Sequence, residues 1–337
     1  NIPESGVADN YFHANSLEAA HTYISGETCH TAASTGNTPP VVNANPCGGS
    51  HTIPKSTPFT LTGSATDANN DVVYYSWEQY DEDGTGTPTQ GYIGSTAAGS
   101  SIAPLFRSYP PTTSPSRTFP NISLVAANTY ATSFEPLPSV ARTLNFRLFA
   151  RDWNTNGGGI HCQSLAVTVS AQGPLAVTAP NGGESIAAGG STTVTWNLNG
   201  ISFLTNVNIK LSIDGGLTYP YTLISNTSAA DGTESVSIPA GVPNTTQARM
   251  RVESATNTCV VFFDISNANF TITSNCNAAG SNICPVTPVN AASGDPALNL
   301  GLSKYYGSAA ITSHTVNVTA ADPFATRAIA NAQGGST

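Results

Sequence analysis

The stretch "DVVYYSWEQYD", residues 71–81, decides the fold. Its residues alternate so that Val73, Tyr75 and Trp77 share one face. A period of two is the signature of a half-buried β-strand. Upstream, "TPFTLTGSATD" (57–67) reads as a strand ending in a turn. Downstream, "TLNFRLFARD" (143–152) alternates again with Leu144, Phe146 and Leu148 inward, and "SLAVTVSA" (164–171) closes the unit. Such a set of strands predicts an antiparallel β-sandwich.

A second series follows the break at Gly173-Pro174 and the tight turn "PNGG" (180–183). It runs through "STTVTWNL", "VNIKLSIDGG", "ESVSIPAG", "ARMRVES", "CVVFFDIS" and "NFTIT". Asp214-Gly215-Gly216 is a strong hairpin signal, and the spacing again fits a sandwich of roughly 100 residues. The predicted fold class is therefore all-β: tandem antiparallel Ig-like β-sandwiches preceded by one short helix. The first sandwich is assigned to 41–172 and the second to 173–274. Between 83 and 139 the first carries a long Gly/Pro/Ser/Thr-rich insertion. A stretch that long is either an ordered functional excursion or holds short strands of its own. Residues 275–337 contain "DPALNLGLSKYYG" and "SHTVNVTAADPF", read as the start of a third, incomplete β domain. Residues 1–40 form a helix and linker. Ser16 is the expected cap of a helix from Leu17 to about Ile24, whose apolar stripe of Leu17, Ala20 and Ile24 needs something to cover.

Composition narrows the function. Only 9% of the 337 residues are charged, against roughly 25% in an average domain. A surface of hydroxyls and amides suits a secreted or cell-surface protein. The net charge of −9 and 11 scattered basic residues argue against nucleic acid. No run of about 18 apolar residues is present to span a membrane. Nor does Asn1 open a signal peptide, so a secreted chain starting there is expected to be processed or incomplete.

The six cysteines form no CxxC pair, and an even count in such a chain favours disulfides over metal. Cys276 and Cys284 bracket a short polar loop and are expected to pair. Cys47 enters the first sandwich and Cys162 lies near its last strand, so a bond between them would clip its ends. Cys29 and Cys259 are left without an evident partner.

The sharpest chemical feature is "ATDANND" (65–71). Asp67, Asn69 and Asp71 put several hard oxygens on one turn, and Asp152, in "ARDWNTNGGG", is positioned to approach from another strand end. Calcium takes six to eight oxygen ligands, so these four residues are candidate calcium ligands. The bland alternative is an Asx-rich turn without an ion. "YDEDG" (80–84) reads as a solvated acidic loop. No GxSxG nucleophile motif is present. Trp77 and Trp196 sit at core positions of strands, whereas Trp153 in its Gly/Asn loop is the candidate exposed aromatic. Asn121, Asn226, Asn244, Asn269 and Asn317 head N-x-S/T sequons.

Longer stretches carry a resemblance. "DNYFHANSLEAAHTYISGETC", "TGNTPPVV", "IPKSTPFTLTGSATDANND", "WEQYD" and "FRSYPPTTSPSRTFP" are similar to bacterial secreted reprolysin-like (M12B-type) zinc metallopeptidases. The "YFH..S" helix resembles the last helix of their catalytic domain, and Cys29 resembles a cysteine that closes a disulfide back into it. The second series resembles the fibronectin-III or Ig-like module that follows, and "ATDANND" the acidic turn of PKD-like and cadherin-like domains. The resemblance implies an accessory, non-catalytic region. A zincin needs two histidines one helical turn apart with a glutamate between them. His13, His21, His30, His51, His161 and His314 form no HExxH. No catalytic zinc and no peptidase activity are therefore expected of this chain. Two functions follow. One is a secreted β-module region that binds protein substrate or cell-surface ligands and spaces a catalytic domain. The other is a structural chain, an adhesin or filament subunit, that assembles with copies of itself by β-strand addition.

Overall fold

The computed structural model describes residues 14–28, 34–81, 94–130 and 135–273. In the first unit, β1 (Val41–Asn43) pairs with β4 (Ser64–Thr66). A four-stranded sheet has the order β2-β8-β7-β5, built from His51–Pro54, Ile160–Ser170, Arg142–Asp152 and Val73–Gln79. Facing it, β3 (Phe59–Thr62) pairs with β6 (Ser116–Phe119). Leu144, Phe146 and Leu148 are buried as the alternation predicts. Phe59, Phe106, Phe119 and Phe146 meet between the layers, with Phe59 and Phe146 edge to face at 5.9 Å. The layers are so close at Gly63 that an added Cβ would sit 2.2 Å from Leu148 Cδ2.

The second unit packs a three-stranded sheet, β14-β11-β9 (Thr233–Ser237, Ser191–Asn197, Ala176–Ala179), against a larger one. In the larger sheet β15 (Thr245–Ser254) pairs with β12 (Asn206–Ser212), β16 (Val260–Ile265) and β17 (Phe270–Thr273). β13 (Tyr221–Ser228) pairs outside β12, and β10 (Ser185–Ala187) outside β17. Two pairings depart from the expected antiparallel order: β2–β8 and β10–β17 are parallel. The reason is the same in both units. Each opens with a strand on one sheet, turns through two glycines at positive φ and continues on the opposite sheet. Gly48 and Gly49 (φ 65 and 73) do this between β1 and β2, and Gly182 and Gly183 (φ 133 and 85) between β9 and β10. Glycine adopts such φ values without the Cβ clash that other residues meet.

The units are continuous. β16 of the second pairs antiparallel with β3 of the first, Val260 opposite Leu61 and Phe262 opposite Phe59, so one sheet crosses the boundary. One apolar core, from Phe146 to Ile272, runs through both. Cys47 is bonded to Cys259. This corrects the expected Cys47–Cys162 bond. The turn after β1 swings Cys47 toward the loop before β16, where its sulfur also lies 3.4 Å from Thr258 Oγ1. Cys162 stands on β8 opposite Phe149.

The insertion is ordered where described, and it holds a 3-10 turn (Gly94–Gly99), β6 and α2 (Ile122–Ala127). Asn121 caps α2 by accepting from Ser123 N, and Asn128 ends it in the left-handed conformation that asparagine tolerates. α2 packs on the second unit: Val125 meets Phe263 and Ile265, and Arg249 Nη2 donates to Ala126 O at 3.1 Å. Arg117 anchors the insertion to the first unit by donating to Trp77 O at 2.6 Å, and braces the insertion internally by donating to the buried Glu135 carboxylate at 2.7 Å.

The N-terminal α1 spans Ala14–Gly26, so Ser16 lies within its first turn rather than before it. Tyr23 and Ile24 are exposed. Cys29, the Cys276–Cys284 pairing and the third domain lie outside the described residues.

Candidate functional site at the pole of the first unit

The end of β7, the turn after β4 and the linker before β1 meet at one pole. β-pairing sets Asp152 opposite Val73, and the turn 67–71 leads into β5. Asp67 Oδ1 accepts the main-chain N–H of Asn69 (2.8 Å) and of Asp71 (3.0 Å), an Asx turn closed by its own carboxylate. Asp71 Oδ2 accepts from Asn154 Nδ2 at 2.9 Å. Asp152 Oδ1 accepts from Asn37 Nδ2 (2.9 Å), Gly159 N (2.6 Å) and Asn154 N (3.4 Å). Asn69 Oδ1 accepts from Thr38 N at 2.8 Å. The bonds form a closed ring that runs from Asp67 through Asp71, Asn154, Asp152, the 37–38 linker and Asn69 back to Asp67.

The four candidate residues thus come together, but with different duties. Asn69 and Asp71 spend an oxygen each on the ring. Three buried oxygens in it have no partner: Asp67 Oδ2, Asp152 Oδ2 and Asn37 Oδ1. Asp152 is 1% exposed. A buried carboxylate oxygen without a donor carries its full desolvation cost, and each carboxylate here uses one oxygen for structure and leaves the other idle. Arg151, next to Asp152 in sequence, serves elsewhere, donating to Ser76 Oγ at 2.7 Å. The site is also tight. A Cβ on Gly159 would lie 2.8 Å from Asp152 Oδ2 and 2.7 Å from Pro39 Cα.

Two carboxylates and an amide carbonyl are hard oxygen donors of the type that suits calcium. Among the described residues no three His, Cys, Asp or Glu side chains converge on a metal, so main-chain carbonyls or solvent would have to complete a shell. Asn37 was not legible in the sequence. It lies 115 residues from Asp152, in a linker without strand pattern, and only the fold brings it in.

Asp81 and two histidines, by contrast, are engaged in hydrogen bonds. Asp81, in the cleft with Tyr80 and Thr143, accepts from Asn145 Nδ2 and N, Gln79 Nε2 and Arg142 Nη2. His161 Nδ1 accepts from Val42 N, and His51 is held between Asn45 and Asn257. No helix among the described residues is long and apolar enough to cross a membrane.

No family model matches the chain, and no curated protein does. Solved structures similar to it include the fibronectin(III)-like modules of CbhA from Clostridium thermocellum, 10% identical, with a TM-score of 0.23 over 72% of this chain and 98% of that one. The N-terminal four Ig domains of Dscam1 isoform 1.9 align at 10% identity and TM-score 0.20, over 71% and 47% of the two chains. The two tandem V-type regions of VCBP3 align at 14% and 0.21, over 70% and 100%.

Proposed function

We propose that the chain is the non-catalytic β-module region of a secreted, reprolysin-like zinc metallopeptidase, which spaces the catalytic part and offers a surface to protein substrates or cell-surface ligands. The observation that carries this reading is the seam. A shared strand pairing, a shared core and the Cys47–Cys259 bond make the two units one stiff body, as a spacer requires. The disulfide suits an extracellular, oxidising compartment, and the chain lacks HExxH. The alternative, a filament subunit that assembles by strand addition, needs an open, regular sheet edge. β13 is interrupted by two register shifts and by Asn226 at φ 58, and β5 is bridged at Tyr75 to Thr112. These edges favour the spacer. The intact mass of the natural protein decides: a much heavier species with HExxH peptides supports the peptidase, and a mass near 34.6 kDa supports the structural chain.

Calcium belongs to the same reading. Bound at the pole, it would meet Asp67 Oδ2, Asp152 Oδ2 and Asn37 Oδ1 and tie the linker to the sandwich. At free calcium a hundredfold above its dissociation constant, it would stabilise the fold by about 2.7 kcal/mol. The test is thermal melting in millimolar calcium and in chelator. Equal melting temperatures would leave the ring as a polar turn.

A further inference from the structure

The three tryptophans divide sharply. Trp77 and Trp196 are 2% and 4% exposed, and their indole N–H groups donate to Pro115 O and Ala229 O, each at 2.9 Å. Trp153 is 62% exposed, and its N–H has no acceptor among the described residues. Leaving so large an apolar ring in water forgoes the stabilisation that its burial would contribute. Yet the ring is not loose. β5 sets Tyr74 opposite Arg151, which makes Trp153 its diagonal neighbour. The two rings stack at 4.1 Å with planes 19° apart. The fold has fixed an indole in place and left it uncovered.

We propose that Trp153, backed by Tyr74, is a binding platform for a neutral carbohydrate, with one pyranose ring lying on the indole. Three features select this ligand class. First, two nearly parallel rings present one flat plate. An apolar or proline-rich peptide needs a cleft between aromatic walls. Second, the rim is made of hydroxyls and amides: the Trp153 N–H, the Tyr74 hydroxyl and the exposed Thr155 and Asn156 side chains, none of them committed among the described residues. These match the hydroxyl edge of a sugar, while the plate matches its C–H face. Third, the charged side chains beside the plate are already engaged in hydrogen bonds. Asp152 is turned into the ring of hydrogen bonds, Asp71 is bonded to Asn154 and Arg151 to Ser76, so the polar groups left uncommitted at the rim are neutral ones. A single ring limits the contact, and binding of about millimolar strength is expected, near −4 kcal/mol. This names a ligand class for the surface role proposed above, but it rests on other residues and needs neither a peptidase parent nor calcium.

The test uses the full chain labelled with nitrogen-15, whose three tryptophans give three indole N–H signals. Cellohexaose, chitohexaose and mannohexaose are titrated separately to about 10 mM, a range that covers millimolar binding. A saturable shift of the Trp153 signal alone, with at least one sugar, is the expected result. The signal is assigned by its absence in Trp153→Ala, and in that variant the same sugar should produce no saturable shift elsewhere. Tyr74→Ala keeps the indole but removes its backing, and should weaken binding at least about fivefold. Three unmoved indole signals with every sugar would overturn the proposal. So would binding that survives Trp153→Ala, or the same shift produced by a proline-rich peptide instead. Failure here with a persistent calcium effect on melting would sink the platform and leave the spacer reading standing.

Discussion

Across the seam between the two units, His51 Nδ1 accepts a hydrogen bond from the side-chain amide of Asn257 at 3.0 Å. On its other side, His51 Nε2 bonds Asn45 Oδ1 at 2.7 Å. Asn257 cannot turn over, because its own oxygen already accepts from Cys259 N and Val260 N. The imidazole is therefore held neutral, with the proton on Nε2. It is 4% exposed, and burial pushes its pKa below the usual 6.5. The facing segments 44–50, 59–62, 165–170 and 255–259 carry no charged residue to offset a proton there.

The seam should therefore weaken in acid. A histidine with a depressed folded pKa contributes stability that is present above its unfolded pKa of 6.5 and is lost as pH falls toward the folded value. Urea unfolding at pH 7.5 and 5.5 should show a larger acid loss for the native chain than for His51→Gln. Equal losses would show that His51 is not the titrating group.

Asp264 should act in the opposite sense. Burial raises its pKa from 3.8 to about 6, against the N–H of Val177 that its carboxylate accepts. The folded state holds the proton more tightly, so stability falls as pH rises from 3.8 to 6 and stays lower above. Asp264→Asn keeps an acceptor for Val177 without the charge. It should stabilise the protein at pH 7.5 by about 2–3 kcal/mol, from roughly two pKa units at 1.36 kcal/mol each. At pH 4 the gain should vanish. A pH-independent difference would show that packing, not charge, is responsible.

The Cys47–Cys259 bond closes a loop with a sequence separation of 212. Chain entropy alone puts such a cross-link at about 5 kcal/mol, and measured losses commonly fall at 2–5 kcal/mol. Cys47→Ser with Cys259→Ser should cost about that much in guanidinium unfolding. Peptide mapping without reductant should recover Cys47 linked to Cys259. A Cys47–Cys162 peptide would contradict the seam as described.

Gly63→Ala should be among the most damaging single-methyl changes in the chain. The added carbon would lie 2.2 Å from Leu148 and 3.2 Å from the Trp77 ring, in a layer with no slack. Overpacking of this type costs about 1–3 kcal/mol, read as a lower melting temperature. A variant as stable as the native chain would mean that the two layers can separate locally.

The sequence by itself determined the strands whose faces differ. β5, β7, β11, β12 and β16 alternate or run apolar because one or both faces are buried, and the two-residue period needs no tertiary knowledge. It also placed Asp67, Asn69 and Asp71 on one turn, since neighbours in a turn are neighbours in space. Tertiary structure alone decided what depends on contacts between distant segments. The short strands β1, β2, β6 and β10 are set by pairing, and their three or four residues are too few to show a period. The partner of Cys47 was chosen by a turn that faces the second unit, not by spacing along the first. Asn37 reaches Asp152 only because the linker crosses the pole, and α2 of the insertion rests on Phe263 of a different unit. Local periodicity reports which face of a segment is dry. It carries no record of which other segment keeps it so.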